Sequence, residues 1–168
     1  DLARDRYLRI VWRCARPTAA EPFSRYGRWG NYLPEKILRN VLRIAQTDDD
    51  KARAHYLIAK TVQTQGSDWE QQAQVAEEFE AAIRLGRKTD WYDDALFNYA
   101  QWMETRGRFV PLEEGGYRNE PDYVKALELY RRLVSEFDQG ETRYYDQAQR
   151  QIKQITGTEL SVSVANIF

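Results

Sequence analysis

The sequence predicts an all-α fold, antiparallel helical hairpins stacked as a short array with a short terminal strand, and three observations carry that prediction. Apolar residues recur at three- and four-residue steps over most of the chain, the period of a helix that buries one face. The periodic runs are separated by short breaks rich in Gly, Pro and Asp, so consecutive helices turn back on one another. Small residues, among them Ala59, Ala100 and Ala126, stand between bulky ones where one helix would cross the next.

Residues 2–15 form the first expected helix, with Leu8, Val11, Trp12 and Ala15 on one side and Arg6, Arg9, Arg13 and Arg16 as a stripe on another. Residues 17–33 are turn-rich, and glycines on either side of Trp29 argue against a continuous helix. Their rings, Phe23, Tyr26, Trp29 and Tyr32, fit either an aromatic platform or a packed loop sealing one end of the array. Pro34 opens a short helix through Ala45 that turns Ile37, Leu38, Val41, Leu42 and Ala45 inward. Asp48, Asp49 and Asp50 lack the spacing, the central Gly and the closing Glu of a calcium loop and instead cap the helix over 51–65. Residues 66–68 turn the chain, and 69–85 return, burying Trp69, Ala73, Ala76, Phe79, Ala82 and Ile83 before Gly86 ends the helix.

Residues 91–106 repeat the pattern through Tyr92, Ala95, Leu96, Tyr99, Ala100 and Met103. An insertion at 107–121, rich in Gly and Pro, is too long for a minimal turn and reads as a small extended ribbon about Gly115 and Gly116. The most regular stretch is 122–137, where Tyr123, Ala126, Leu127, Tyr130, Leu133, Val134 and Phe137 recur with the helical period. A last helix over 142–155 carries a glutamine-rich outer side, as the end of an array requires. Beyond it Leu160, Val162 and Val164 alternate with polar residues, so 157–168 is expected to be a strand or a linker into a further domain.

With 168 residues the chain suits one domain burying on the order of 70% of its extended surface, so it needs no disulfide staples. Its single cysteine, Cys14, has no partner within the chain, and neither a membrane span nor a charged-then-apolar leader is read. The net charge of −1 conceals an asymmetry: residues 1–60 hold 13 Lys/Arg against 7 Asp/Glu, and 61–168 hold 12 against 19. Such a split can orient a partner or a neighbouring domain. Nucleic acid is not expected, because the arginine stripe has no second basic patch and the whole chain is not basic. His55, the one histidine, has no companion at metal-ligand spacing, and neither a phosphate-cradling Gly loop nor an activated nucleophile is visible, so no cofactor and no metal is expected.

Ala59 with Val75, Phe79 and Ala82, then Ala100 with Ala126, Tyr130 and Leu133, then the start of a third unit over 144–155, resemble the tetratricopeptide repeat family. The run about Ala126 and Tyr130 looks like its bacterial envelope branch, the outer-membrane assembly lipoproteins. The terminal alternation is similar to the junction into β-sandwich domains in large α2-macroglobulin-like proteins. The resemblance covers 48–156, leaving 1–47 as N-terminal helices and aromatic loop packed on the array. It departs from the usual step of about 34 residues, since Ala59 to Ala100 and Ala100 to Ala148 are both longer. It implies a non-catalytic scaffold that holds a protein, a peptide or a neighbouring domain of its own chain, in a bacterial envelope or periplasmic setting, and the expected terminal strand, with no partner, suggests a fragment of a larger protein. In its register Arg53, Tyr56, Lys60 and Gln63, and then Asp94, Phe97, Gln101 and Glu104, are the groove-facing positions. They read alternatively as ordinary solvated helix faces. Two other classes stay open: a helical-array enzyme such as a glycosidase, working through two facing carboxylates, and a binder of anionic polymers led by the arginine stripe.

Overall fold

A computed structural model describes residues 2–14, 35–65 and 69–165 and, within them, all side chains except those at 14, 64–65, 69–72, 109 and 158–165. The aromatic stretch 17–33, Ala15, Arg16, the turn 66–68 and the side chain of Trp69 therefore lie outside the described set. The chain falls into two units, Asp1–Trp91 and Tyr92–Phe168.

The first unit holds α1 (Leu2–Cys14), α2 (Glu35–Ile44), α3 (Asp48–Gln65) and α4 (Trp69–Arg84). α3 packs along both α2 and α4. Ala52, Ile58, Ala59 and Val62 of α3 are buried, as are Val75, Phe79, Ala82 and Ile83 of α4. Alanines at the crossing let the helix axes approach while the larger side chains fill the grooves on either side. A second cluster joins Leu8 and Val11 of α1 to Val41 of α2 and Ala54 of α3, with Tyr7, Trp12, Ile37 and Leu42 half-buried around it.

Two local expectations are corrected here. The cap of α3 is Thr47, not the acidic triplet: its Oγ1 accepts from the Asp50 amide at 3.1 Å and donates to the Asp50 carboxylate at 2.8 Å. Asp48 and Asp49 fill the first turn, where their charge still complements the positive end of the helix. On α4, Ala73 faces solvent, and Val75 and Glu78 lie inside. Glu78 can turn inward because His55 and Arg39 supply partners for its carboxylate.

The second unit holds α5 (Tyr92–Thr105), the strands β1 (Arg108–Pro111) and β2 (Tyr117–Glu120), α6 (Tyr123–Glu136) and α7 (Tyr145–Ala165). α6 packs against α5 and α7. Ala126, Tyr130 and Leu133 are fully buried, together with Ala95, Leu96, Ala100 and Ala148. Asp122 caps α6 by accepting from the Lys125 amide at 2.9 Å. Tyr123, expected inward, is exposed with Val124: the first turn of α6 overhangs, and the buried stripe begins at Ala126.

The insertion is an antiparallel hairpin in register from Arg108 opposite Glu120 to Pro111 opposite Tyr117. It leaves and re-enters the helical pair at one point, where Asp122 N donates to the Met103 carbonyl at 2.8 Å. At the C-terminus the expected strand is overturned, since α7 runs through the alternating residues to Ala165. An isolated strand has no ladder partner, whereas a helix already nucleated gains one backbone hydrogen bond per added residue. Among the described residues no helix is long and apolar enough to cross a membrane.

Candidate partner-binding surface

The eight positions expected to face a groove fall into two quartets, one on α3 in the first unit and one on α5 in the second. In the first, Arg53 lies between two indoles, its guanidinium carbon 4.4 Å from the centre of the Trp12 ring and 4.9 Å from that of Trp91. Its Nη2 also donates to the Trp12 carbonyl at 3.4 Å. A delocalised, weakly hydrated guanidinium suits this position far better than an ammonium would. Trp12 is fixed in turn by its Nε1, which donates to Asp50 at 2.6 Å. Tyr56 is only 5% exposed, its ring 5.4 Å from Trp91 and 6.2 Å from Phe79. One helical turn beyond, Lys60 and Gln63 are half-exposed.

In the second quartet Asp94 is clasped from the loop before α7. Arg143 Nη2 and the Tyr144 hydroxyl each donate to its Oδ1 at 2.5 Å, and the Thr142 hydroxyl donates to the neighbouring Asp93 at 2.5 Å. Burial raises the pKa of Asp94 above the usual carboxylate range, and the Tyr144 hydrogen bond and the Arg143 charge work the other way. Burial likewise raises that of the Tyr144 phenol, and the Asp94 charge adds to it. Phe97, 4% exposed, stacks on Tyr144 with ring centres 4.3 Å apart and meets Tyr130 at 5.8 Å with the ring planes tilted by 58°. Glu104 accepts from the Tyr130 hydroxyl at 2.8 Å, and Gln101 is exposed.

The structure therefore brings Arg53 and Tyr56 together on Trp91, and Asp94 and Phe97 together on Tyr144. Both rings are enclosed in their own unit's packing, while Lys60, Gln63 and Gln101 remain at the surface. Sequence reasoning missed the residues that enclose them, Trp12, Trp91, Arg143 and Tyr144, because the pairings span 35 to 50 positions and leave no local period. Arg143 and Tyr144, expected inside the last helix, instead stand just before it.

It missed a second polar group as well. His55 Nδ1 and Glu78 Oε2 are 2.6 Å apart, Glu78 Oε1 accepts from Arg39 at 2.8 Å, and Glu35 accepts from Arg39 at 3.0 Å and from Gln74 at 2.8 Å. These bonds tie α2, α3 and α4 at one level, and a buried carboxylate with two donors is satisfied where a lone one would be costly. No three His, Cys, Asp or Glu side chains among the described residues converge as a ligand set for a metal ion. Comparison with protein-family models, with curated proteins and with solved structures finds no match.

Proposed function

We propose that the chain is a non-catalytic interaction module, a tetratricopeptide-like scaffold whose helix faces hold a segment of a protein partner or a neighbouring domain of the same polypeptide. The observation that carries this reading is the division along α3 and α5: the inner side chains Tyr56, Asp94 and Phe97 lock each helix to its own unit, and Lys60, Gln63 and Gln101 stand toward solvent on the helices so fixed. A surface held by buried rings loses little conformational entropy when a partner docks, which favours recognition through the polar side chains it presents. The fully or largely buried carboxylates of Glu78 and Asp94 act as structural acceptors for His55, Arg39, Arg143 and Tyr144, a use that argues for support and against acid–base work. The test is capture from a lysate of the source organism with the full chain as bait. Lys60→Glu with Gln63→Glu should lose the captured proteins, while Glu128→Lys with Arg131→Glu, on the exposed side of α6, should keep them. The reverse pattern would reject the reading.

A further inference from the structure

The outward face of α1 carries a feature that the scaffold reading leaves unused. Leu8 and Val11 turn this helix toward the first unit's core, and Leu2, Arg6, Arg9, Ile10 and Arg13 are all exposed. At 3.6 residues per turn these five fall within an arc of about 100° and along about 17 Å of helix. Leu2 and Ile10 are 75% and 63% exposed, high values for large aliphatic side chains on a helix that already buries its other side. Asp5, the one acidic residue of the helix, is held by Arg4 at 2.9 Å, and no described residue forms an ion pair with Arg6, Arg9 or Arg13.

From this combination we infer that the α1 face docks on an anionic phospholipid surface. Three guanidiniums in one arc match a plane of phosphate groups, to which Arg binds through paired N–H donors. The two aliphatic side chains favour a bilayer over a nucleic acid: they can enter the boundary between headgroups and acyl chains, while the flexible arginine stems keep their charges at phosphate level. A nucleic-acid backbone gives Leu2 and Ile10 nothing comparable. The helix would lie in the plane of the interface, attached from one side, as a peripheral contact. Each basic residue near an acidic leaflet strengthens binding by roughly a factor of five, so three together give about two orders of magnitude at low salt.

The experiment is sedimentation of the full chain with vesicles of phosphatidylcholine alone and of phosphatidylcholine mixed in equal parts with phosphatidylglycerol. Binding is expected to the mixed vesicles only and to weaken as salt is raised. The triple change Arg6→Glu, Arg9→Glu, Arg13→Glu should weaken it at low salt by at least about a hundredfold. Ile10→Gln should weaken it several-fold with the salt dependence unchanged. All four side chains are exposed, and an unaltered circular dichroism melt verifies that the variants fold. Failure to bind the mixed vesicles, or binding that survives the triple change, overturns the inference. So does equally tight binding to duplex DNA that Ile10→Gln leaves untouched, which would mark the face as a phosphate-backbone contact. Self-association abolished by the triple change, without vesicle binding, would assign the face to a second copy and overturn it too.

Discussion

Three buried tyrosines of the second unit each donate their hydroxyl to a carboxylate: Tyr92 to Glu136 at 2.7 Å, Tyr130 to Glu104 at 2.8 Å and Tyr144 to Asp94 at 2.5 Å. A phenol in this setting resists ionisation, because burial disfavours the phenolate and the adjacent carboxylate repels it. Tyr92 is pushed up to about 12, first by burial and then by the Glu136 hydrogen bond, and Tyr130 and Tyr144 are also raised. Because the folded pKa lies above the unfolded value of about 10, the stabilisation is complete below pH ~10 and is lost as pH rises through the folded value. Urea denaturation across alkaline pH should show stability falling from about pH 10 upward. Tyr92→Phe should flatten the part of that fall between about 10 and 12 by roughly 1–2 kcal/mol, allowing for solvent screening at its partly exposed partner Glu136. An identical slope in the variant would remove Tyr92 from the account. Tyr130 is fully buried, so Tyr130→Ala should cost about 3–5 kcal/mol, and Tyr130→Phe only about 1. Equal losses would mean that the hydrogen bond, and not the ring, dominates. The burial of Tyr130 was legible in the sequence because it follows Ala126 by four and precedes Leu133 by three. Its bond to Glu104 was not, since a glutamate on a helix face looks solvated until its neighbour across the pair is known.

Local signals that one helix carries by itself were readable, and signals that depend on two helices were not. α5 and α6 appear within a residue or so of where periodicity placed them, and the ribbon about Gly115 and Gly116 is a hairpin. The terminal strand failed because period-2 alternation identifies a strand only when a second strand can complete the ladder, and here α7 simply continues. The inward stripe of α4 differs at Ala73, which is exposed, and at Val75 and Glu78, which are buried though not among the residues expected inward; Glu78 finds His55 and Arg39 as partners there. The hairpin leaves the α5–α6 pair undisturbed because its two ends meet at Gly107. That residue has φ +65°, and a Cβ on it would fall 1.8 Å from the Glu120 carbonyl oxygen. Gly107→Ala should therefore destabilise the protein by more than the ~1 kcal/mol of an ordinary left-handed glycine replacement, because backbone must move as well. Gly115→Ala, with φ +87° and open space around it, isolates the conformational cost alone. Thermal melts of the two variants should differ, with Gly107→Ala the lower. If Gly115→Ala melts lower, the close approach at the stem does not govern the hairpin.

At the scale of the chain, the residues expected to form the array, 48–156, run across the division of the structure into two units between Trp91 and Tyr92. The spacing of Ala59 and Ala100 already departs from a regular repeat step, and each unit has buried side chains of its own. Phe79 and Ile58 belong to the first unit, and Leu96, Tyr130 and Ala148 to the second. Charge follows the same boundary in part: residues 1–91 carry 16 Lys/Arg against 13 Asp/Glu, and 92–168 carry 9 against 13. A unit with its own buried rings, its own capped helices and its tyrosine–carboxylate bonds closed internally meets the requirements for folding alone, although its small size leaves little margin. Residues 92–168 expressed alone should therefore give a helical circular dichroism spectrum and one cooperative urea transition. Tyr130→Ala should lower that transition by the same free energy as in the full chain, because every partner of Tyr130 named above lies within the fragment. A fragment that is unstructured in water, paired with a full chain that unfolds in a single transition, would show instead that the second unit is stable only as part of the whole.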